Sequence, residues 1–357
     1  MTSEFWDGKN VLLTGHTGFK GGWLALSLQD LGANVVGYSL PPPTEPSFYE
    51  TARVGEGMRE IAGDILDLAK LTKAFEEFSP EIVFHLAAQS LVRVSYENPV
   101  GTYAANLLGT VHLLEAVRLT KTVRSVVIVT SDKCYENREW VWSYRETDPL
   151  GGRDPYSSSK ACVELAVDSY RRSFFSVKSV GIATARAGNV IGGGDWARDR
   201  LIPDLVRAAI SGTTLVLRNP RSVRPWQHVL EPLSGYLRLA QALWNESARY
   251  AEAWNFGPVG AVADKTVEDL VVSAARAWKS ELAWRIDEDN DLGESRVLKL
   301  DASKAVDAGW RPLLNLDRAI EWTMEWYRAW TEHRDVRAVS LDQIRLYRKL
   351  ATEGLSA

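Results

Sequence analysis

With 357 residues, of which 45% are hydrophobic and 25% charged, the chain can bury a large core, which excludes the disordered and collagen-like classes. Its 42 basic and 46 acidic residues give a net charge of −4 with no basic cluster, so neither nucleic acid nor an anionic membrane surface is an expected partner. Two separated cysteines, Cys134 and Cys162, and the lack of a signal peptide or membrane-length apolar run point to a reducing, cytoplasmic setting.

Short apolar runs alternate with helix-length segments through the first half. Val11–Thr14, Val35–Ser39, Ile82–Leu86, Val126–Ser131 and Val180–Ala185 read as buried parallel strands. Gly21–Leu31, Leu68–Phe78, Pro99–Leu119 and Pro155–Phe175 read as the helices between them. This rhythm predicts a Rossmann-type, doubly wound α/β sheet whose ligand crevice lies at the carboxyl ends of the strands. Residues 1–186 are expected to bind a dinucleotide, with 229–257 returning to that sheet. A smaller substrate-binding lobe with C-terminal helices is expected from 187–228 and 258–357, including a helix near Pro203–Ser211 and a docked helix at Leu316–Trp330.

The first strand runs into Gly15, Thr17, Gly18, Phe19, Lys20 and Gly21, a three-glycine turn that opens a helix. Such a turn lets backbone N–H groups and a helix N-terminus approach a pyrophosphate. The second strand ends at Ser39 rather than at the acidic residue that would hold the adenosine ribose, so NAD and NADP both stay open. Lys20 is read either as favouring an extra phosphate or as a pyrophosphate contact. Asp64 and Ile65 are placed near adenine, and Leu86, Ala87, Ala88 and Gln89 beneath the cofactor.

Tyr156 and Lys160, four apart on one helix face, form a pair in which the cation is expected to lower the phenol's pKa and fit it for alcohol oxidation. Upstream, at a strand end, Ser131, Asp132 and Lys133 add an acid and an amine beyond what simple oxidation needs. Metal chemistry has little support, because the five histidines are dispersed. The acidic stretch Asp287–Asp291 reads as a solvated loop, since its glycine falls out of place for a calcium site.

These motifs, with Asn106 ahead of Gly109 and Thr110, resemble the extended short-chain dehydrogenase/reductase family, and within it the nucleotide-sugar 4,6-dehydratases. The stretches Ser131 to Trp142, Ala187 to Trp196 and Arg224 to Gly235 are most similar to the branch acting on CDP-glucose, and the likeness extends over roughly Val11 to Trp330. The resemblance implies a lyase with recycled NAD that oxidises sugar C4, eliminates water across C5 and C6, and returns the hydride to C6. Tyr156 would take the C4 hydroxyl proton, Ser131 would bind the C4 oxygen, and Lys160 would hold the nicotinamide ribose, with Asn106 also on the cofactor side.

Asp132 matches the family's acid, and Lys133 stands where many relatives place a glutamate base. An ordinary lysine, pKa ~10.4, is neutral in roughly one molecule in a few thousand at pH 7, so Lys133 would need desolvation or nearby positive charge to act as the base; otherwise it stabilises an enolate. Asn189, Arg198, Arg218, Arg224 and Arg296 are the candidates for the nucleotide diphosphate. The resemblance also implies a homodimer or dimer of dimers through Pro99–Leu119 and Pro155–Phe175, and a role in deoxyhexose and polysaccharide biosynthesis. An epimerase or reductase on the same scaffold and a non-catalytic dinucleotide-binding regulator are the alternatives.

Overall fold

The computed structural model describes residues 3–175, 180–260, 265–279, 282–287 and 296–354. Seven strands form one parallel sheet: β1 (Asn10–Thr14), β2 (Asn34–Ser39), β3 (Arg59–Ala62), β4 (Ile82–His85), β5 (Ser125–Val129), β6 (Gly181–Ala187) and β7 (Ala253–Phe256). Their order is β7-β6-β5-β4-β1-β2-β3, the doubly wound arrangement predicted from the alternating runs. The order reverses between β1 and β4, so the crevice opens beyond Thr14 and His85. There Thr14 Oγ1 lies 2.7 Å from His85 Nδ1 and accepts hydrogen bonds from the amides of Leu86 and Ala87, which fixes the loop after β4.

Central strands read as continuous apolar runs because helices cover both faces. One face packs on the helices Phe19–Asp30, Leu230–Asn245 and Leu316–Thr331, and the other on Leu68–Phe78, Gly109–Leu119 and Pro155–Tyr170. Most tryptophans serve the first of these cores, with Trp6, Trp23 and Trp326 fully buried.

The segment predicted as one helix at Pro99–Leu119 is helical throughout but carries a π turn at Ala104–Leu108, which contains the buried Asn106. Likewise, Pro155–Tyr170 is α-helical and Arg171–Phe175 continues as a π turn. Asp154 caps this helix by accepting the Ser157 amide at 2.9 Å, and Pro155 fills its first position, so Tyr156 enters the first turn with a fixed direction.

Beyond the sheet, Leu215–Leu217 pairs with Trp284–Ile286, and Val190–Ile191 with Gln227–His228. A last helix, Val336–Glu353, is docked by Arg345 and Arg348 on Asp30 and by the Tyr347 hydroxyl on Glu231, 2.6 Å apart. Of the acidic loop, only Asp287 is among the described residues; 288–295 lie outside them.

Candidate active site

The glycine turn is shaped for a dinucleotide. Gly15 has φ +79°, and a Cβ there would stand 2.6 Å from the Ala87 amide nitrogen; a Cβ on Gly21 would stand 2.1 Å from the Gly15 carbonyl oxygen. The helix Phe19–Asp30 begins at Gly18 with no side-chain cap, which leaves its first N–H groups for an anion. These features fit a pyrophosphate. Thr17 spends its hydroxyl on Ser39 and the Leu40 carbonyl, closing the turn onto the end of β2. Asp64 and Ile65 follow β3, where the Asp64 carboxylate also accepts the Leu66 amide.

Lys20 is not at the adenosine end. Its charge neighbours are Arg200, Asp132, Lys160 and Asp195, so it reaches toward the catalytic end of the crevice, and burial lowers its pKa to about 8. An adenosine phosphate is therefore not what Lys20 is placed to meet.

Asn106, turned inward by the π turn, donates to the Ser159 hydroxyl at 2.8 Å and to the Gln89 carbonyl at 3.0 Å, and accepts the Gln89 amide at 2.8 Å. It thus ties the loop holding Ala87, Ala88 and Gln89 to the helix bearing Tyr156 and Lys160.

Ser131 sits at the end of β5 and caps a short 3-10 turn, Asp132–Cys134, by accepting the Lys133 amide at 3.2 Å. Its hydroxyl donates to Asp132 Oδ1 at 3.0 Å and lies within hydrogen-bonding reach of Tyr156. Asp132 is 3% exposed, and its Oδ2 is a buried oxygen with no hydrogen-bond partner among the described residues. Burial raises its pKa against the opposing charges of Lys133, Arg224 and Lys20, so the carboxyl is biased toward its proton-bearing form. Lys133 is half-buried beside it. Lys160 donates to the Val129 carbonyl at 3.2 Å, and burial lowers its pKa to about 8.

The phenol of Tyr156 departs from expectation. Burial pushes it up to about 12, outweighing the Ser131 hydrogen bond and the Arg200 charge, so a phenolate able to accept an alcohol proton depends on positive charge held beside it.

Among the diphosphate candidates, Arg224 is buried and close enough to influence Asp132. Its Nη1 donates to the carbonyls of Val223 and Arg296, at 3.0 and 3.3 Å, so the Arg296 backbone lies against it while the Arg296 side chain is exposed. Asn189 is half-buried, with its carbonyl accepting the Gln227 amide at 3.0 Å. Arg218 pairs with Asp199 and lines a cavity of about 380 Å³ together with Arg93, Asp204 and Arg207. Arg198 is exposed on the loop leading there. Among the described residues, no group of three or more histidine, cysteine, aspartate or glutamate side chains could hold a metal ion.

Sequence reasoning missed Arg200. It joins Asp195 at 2.9 Å to Ser90 at 3.2 Å and influences Tyr156 and Lys20, placing a second guanidinium on the crevice. The only signal was a polar run, Ala197 to Arg200, between a glycine loop and a helix.

The GDP-mannose 4,6 dehydratase family model matches residues 12–323. A CDP-glucose 4,6-dehydratase of Salmonella typhimurium is 50% identical over 358 residues, covering 99% of each chain. A dTDP-glucose 4,6-dehydratase of Xanthomonas campestris pv. campestris is 29% identical, over 88% of this chain and 92% of its own length. Among solved structures, the dTDP-glucose 4,6-dehydratase of Bacillus anthracis in complex with NAD superposes with a TM-score of 0.75 at 22% identity, covering 92% of this chain and all of that one.

Proposed function

The chain belongs to the GDP-mannose 4,6-dehydratase family, and from that premise we infer that it converts CDP-D-glucose to CDP-4-dehydro-6-deoxy-D-glucose and water with NAD as a recycled cofactor. The observation that carries this reading is Asp132, a buried carboxyl whose pKa burial raises and whose Oδ2 is unpartnered among the described residues, set beside Ser131, Tyr156 and Lys160. Alcohol oxidation or epimerisation gives such an acid nothing to do, whereas elimination needs a proton at the departing C6 hydroxyl.

NAD, when bound, supplies the reversible hydride store between C4 and C6. Tyr156, as the phenolate that the ammonium of Lys160 supports, takes the C4 hydroxyl proton while Ser131 steadies the C4 oxygen. The resulting 4-keto group acidifies the C5 proton. Lys133 removes it as Asp132 gives its proton to the C6 oxygen, so the C6–O bond breaks and water leaves. The dinucleotide lies on 1–186 with 229–257, held at Gly15, Thr17, Gly18, Phe19, Lys20, Gly21, Asp64, Ile65, Leu86–Gln89 and Asn106. The sugar nucleotide lies toward 187–228 and 258–357, where Asn189, Arg224 and Arg296 receive the diphosphate and Arg198 and Arg218 extend the cationic rim.

Product analysis with CDP-, dTDP- and GDP-hexoses side by side tests the substrate. CDP-glucose is expected to exceed dTDP-glucose in kcat/KM by at least about tenfold, or about 1.4 kcal/mol of discrimination. Equal turnover of dTDP-glucose would sink the CDP assignment.

The enzyme is further proposed to be cytoplasmic and to supply deoxyhexoses for surface polysaccharides; both cysteines are free thiols, and among the described residues no helix is long and apolar enough to cross a membrane. A homodimer or dimer of dimers is supported by apolar side chains left exposed on the two expected pairing segments: Val100, Leu108 and Leu119 on one, Leu165 and Phe174 on the other. Leu165→Glu is expected to lower the mass in solution to that of one chain. A wild-type protein that is monomeric at every concentration would rule the assembly out.

A further inference from the structure

Glu164 lies four residues beyond Lys160 and eight beyond Tyr156, on the same face of one helix. No step of the reaction above uses it, yet it is 5% exposed and fully engaged. Its Oε1 accepts the Thr130 hydroxyl at 2.5 Å, and its Oε2 accepts the Thr184 hydroxyl at 2.6 Å and Arg186 Nη2 at 2.8 Å. Thr130 stands between Val129, whose carbonyl receives Lys160, and Ser131. Two charged side chains one turn apart on this helix therefore grip two consecutive residues at the end of β5, immediately before the catalytic turn.

The other side of the ion pair reaches past that turn. Arg186 Nη1 donates to the Tyr135 hydroxyl at 2.8 Å and to the Glu146 carbonyl, and the guanidinium lies over the Tyr135 ring, 4.9 Å from its centroid. Tyr135 in turn donates to Asn255 Oδ1 at 2.7 Å, at the edge of β7. The segment bearing Ser131, Asp132 and Lys133 is thus pinned before it, through Thr130, and after it, through Tyr135, by one carboxylate and the arginine paired with it.

We propose that Glu164 is a positioning residue for the dehydration: through Thr130 and Arg186 it fixes Ser131–Lys133 against Tyr156, and its negative charge supports the ammonium of Lys160. The proposal rests on the dehydratase reading of this site. Titratable and charged groups facing the pair come from every neighbouring element: Lys20 from the dinucleotide turn, His85 from β4, Asp132, Cys134 and Tyr135 beyond β5, Glu146, Arg186 from β6, Tyr156 on the helix itself, and Arg171 on the π turn that continues it. Among these, burial and Lys20 work against the Lys160 ammonium, while Glu164 is the charged group that favours it. Burial also works against the Glu164 carboxylate, but Arg186 and the two threonine hydroxyls hold its pKa below the usual value, so the charge is present throughout the neutral range.

The test compares Glu164→Gln, Glu164→Asp and the double change Glu164→Gln with Arg186→Met in the full chain. The double variant removes both buried charges together and so protects against a simple loss of folding in the single one. Turnover of CDP-glucose is measured against pH beside the thermal midpoint, with wild type run first, because a wild type inactive on this sugar nucleotide would indict the substrate assignment and not Glu164. In folded Glu164→Gln and in the double variant, kcat is expected to fall by about 10- to 100-fold with KM within a few-fold, as misplacement of reacting groups predicts. The alkaline limb of kcat should also move down by about one pH unit as Lys160 loses its charge partner. Glu164→Asp keeps the charge, so its limb should stay at the wild-type position even if its rate falls. A folded double variant with wild-type kcat and an unmoved limb would overturn the proposal, and so would an equal limb shift in the Asp variant.

Discussion

Tyr156→Phe is expected to lower turnover of CDP-glucose by about 10²- to 10⁴-fold, equivalent to about 3 to 5.5 kcal/mol of barrier, with little change in stability. The ring is buried and keeps its packing, and among the described residues the lost hydroxyl has Ser131 as its hydrogen-bonding neighbour, so the cost to folding is about 1 kcal/mol. A variant that turned over within a few-fold of wild type would remove Tyr156 from the proton path. The pH dependence of wild type checks the same arrangement. Lys160 must be charged to support the phenolate that accepts the C4 proton, and burial brings its pKa down to about 8, so the activity that depends on this charge should fall as the pH rises through that value. Asp132 acts in the same direction, because it works as an acid only while it holds its proton, and burial raises its pKa.

Sequence patterns were informative where a single segment carries the physics. β1, β4 and β5 are buried on both faces, and this forces the unbroken apolar runs by which they were recognised. β3 escaped because Arg59–Ala62 is a short, largely exposed edge strand carrying two charged residues. The helix Val336–Glu353 escaped for a related reason: much of its attachment is polar, through Arg345 and Arg348 to Asp30 and Tyr347 to Glu231, and none of these pairings is visible as a local period.

The site divides along the same line. Ser131, Asp132 and Lys133 share one strand end, and Tyr156 and Lys160 one helix face, so local spacing was enough to nominate them. Arg200 meets Asp195 and Ser90 across more than a hundred residues in the second case, and Glu164 meets Thr130 after β5 and Thr184 and Arg186 on β6. Only the fold creates those contacts. Pairing alone also left burial out: a tyrosine and a lysine four apart suggest a phenol of lowered pKa, and the depth at which both lie works against this, raising one and lowering the other.

Lys133→Met is the second large effect, and it should separate elimination from oxidation. Lys133 lies beside Asp132, on a backbone fixed by Ser131, while Tyr156 and Lys160 already complete the machinery for C4. Its half-buried side chain makes no hydrogen bond or ion pair among the described residues, so methionine, of similar length, should fill its place with little strain. Oxidation at C4 should therefore survive in the variant, while loss of water slows by about 10²- to 10⁴-fold, the usual cost of removing a general base. The direct readout is exchange of the C5 hydrogen with deuterated water, followed by mass, beside a thermal midpoint as folding control. Exchange should fall with turnover, leaving a 4-keto sugar that still carries its C6 oxygen. If Lys133 only stabilised the enolate, slow exchange would accompany slow elimination but would recover in a longer cationic side chain, Lys133→Arg, which holds positive charge and cannot serve as a base near neutral pH. Failure of the arginine variant to restore exchange, with the fold intact, therefore supports the amine as the proton acceptor. Wild-type exchange and turnover in Lys133→Met would instead eliminate it, and attention would pass to Glu136, an exposed carboxylate now paired with Arg138 at 2.9 Å, which would have to leave that partner to reach C5.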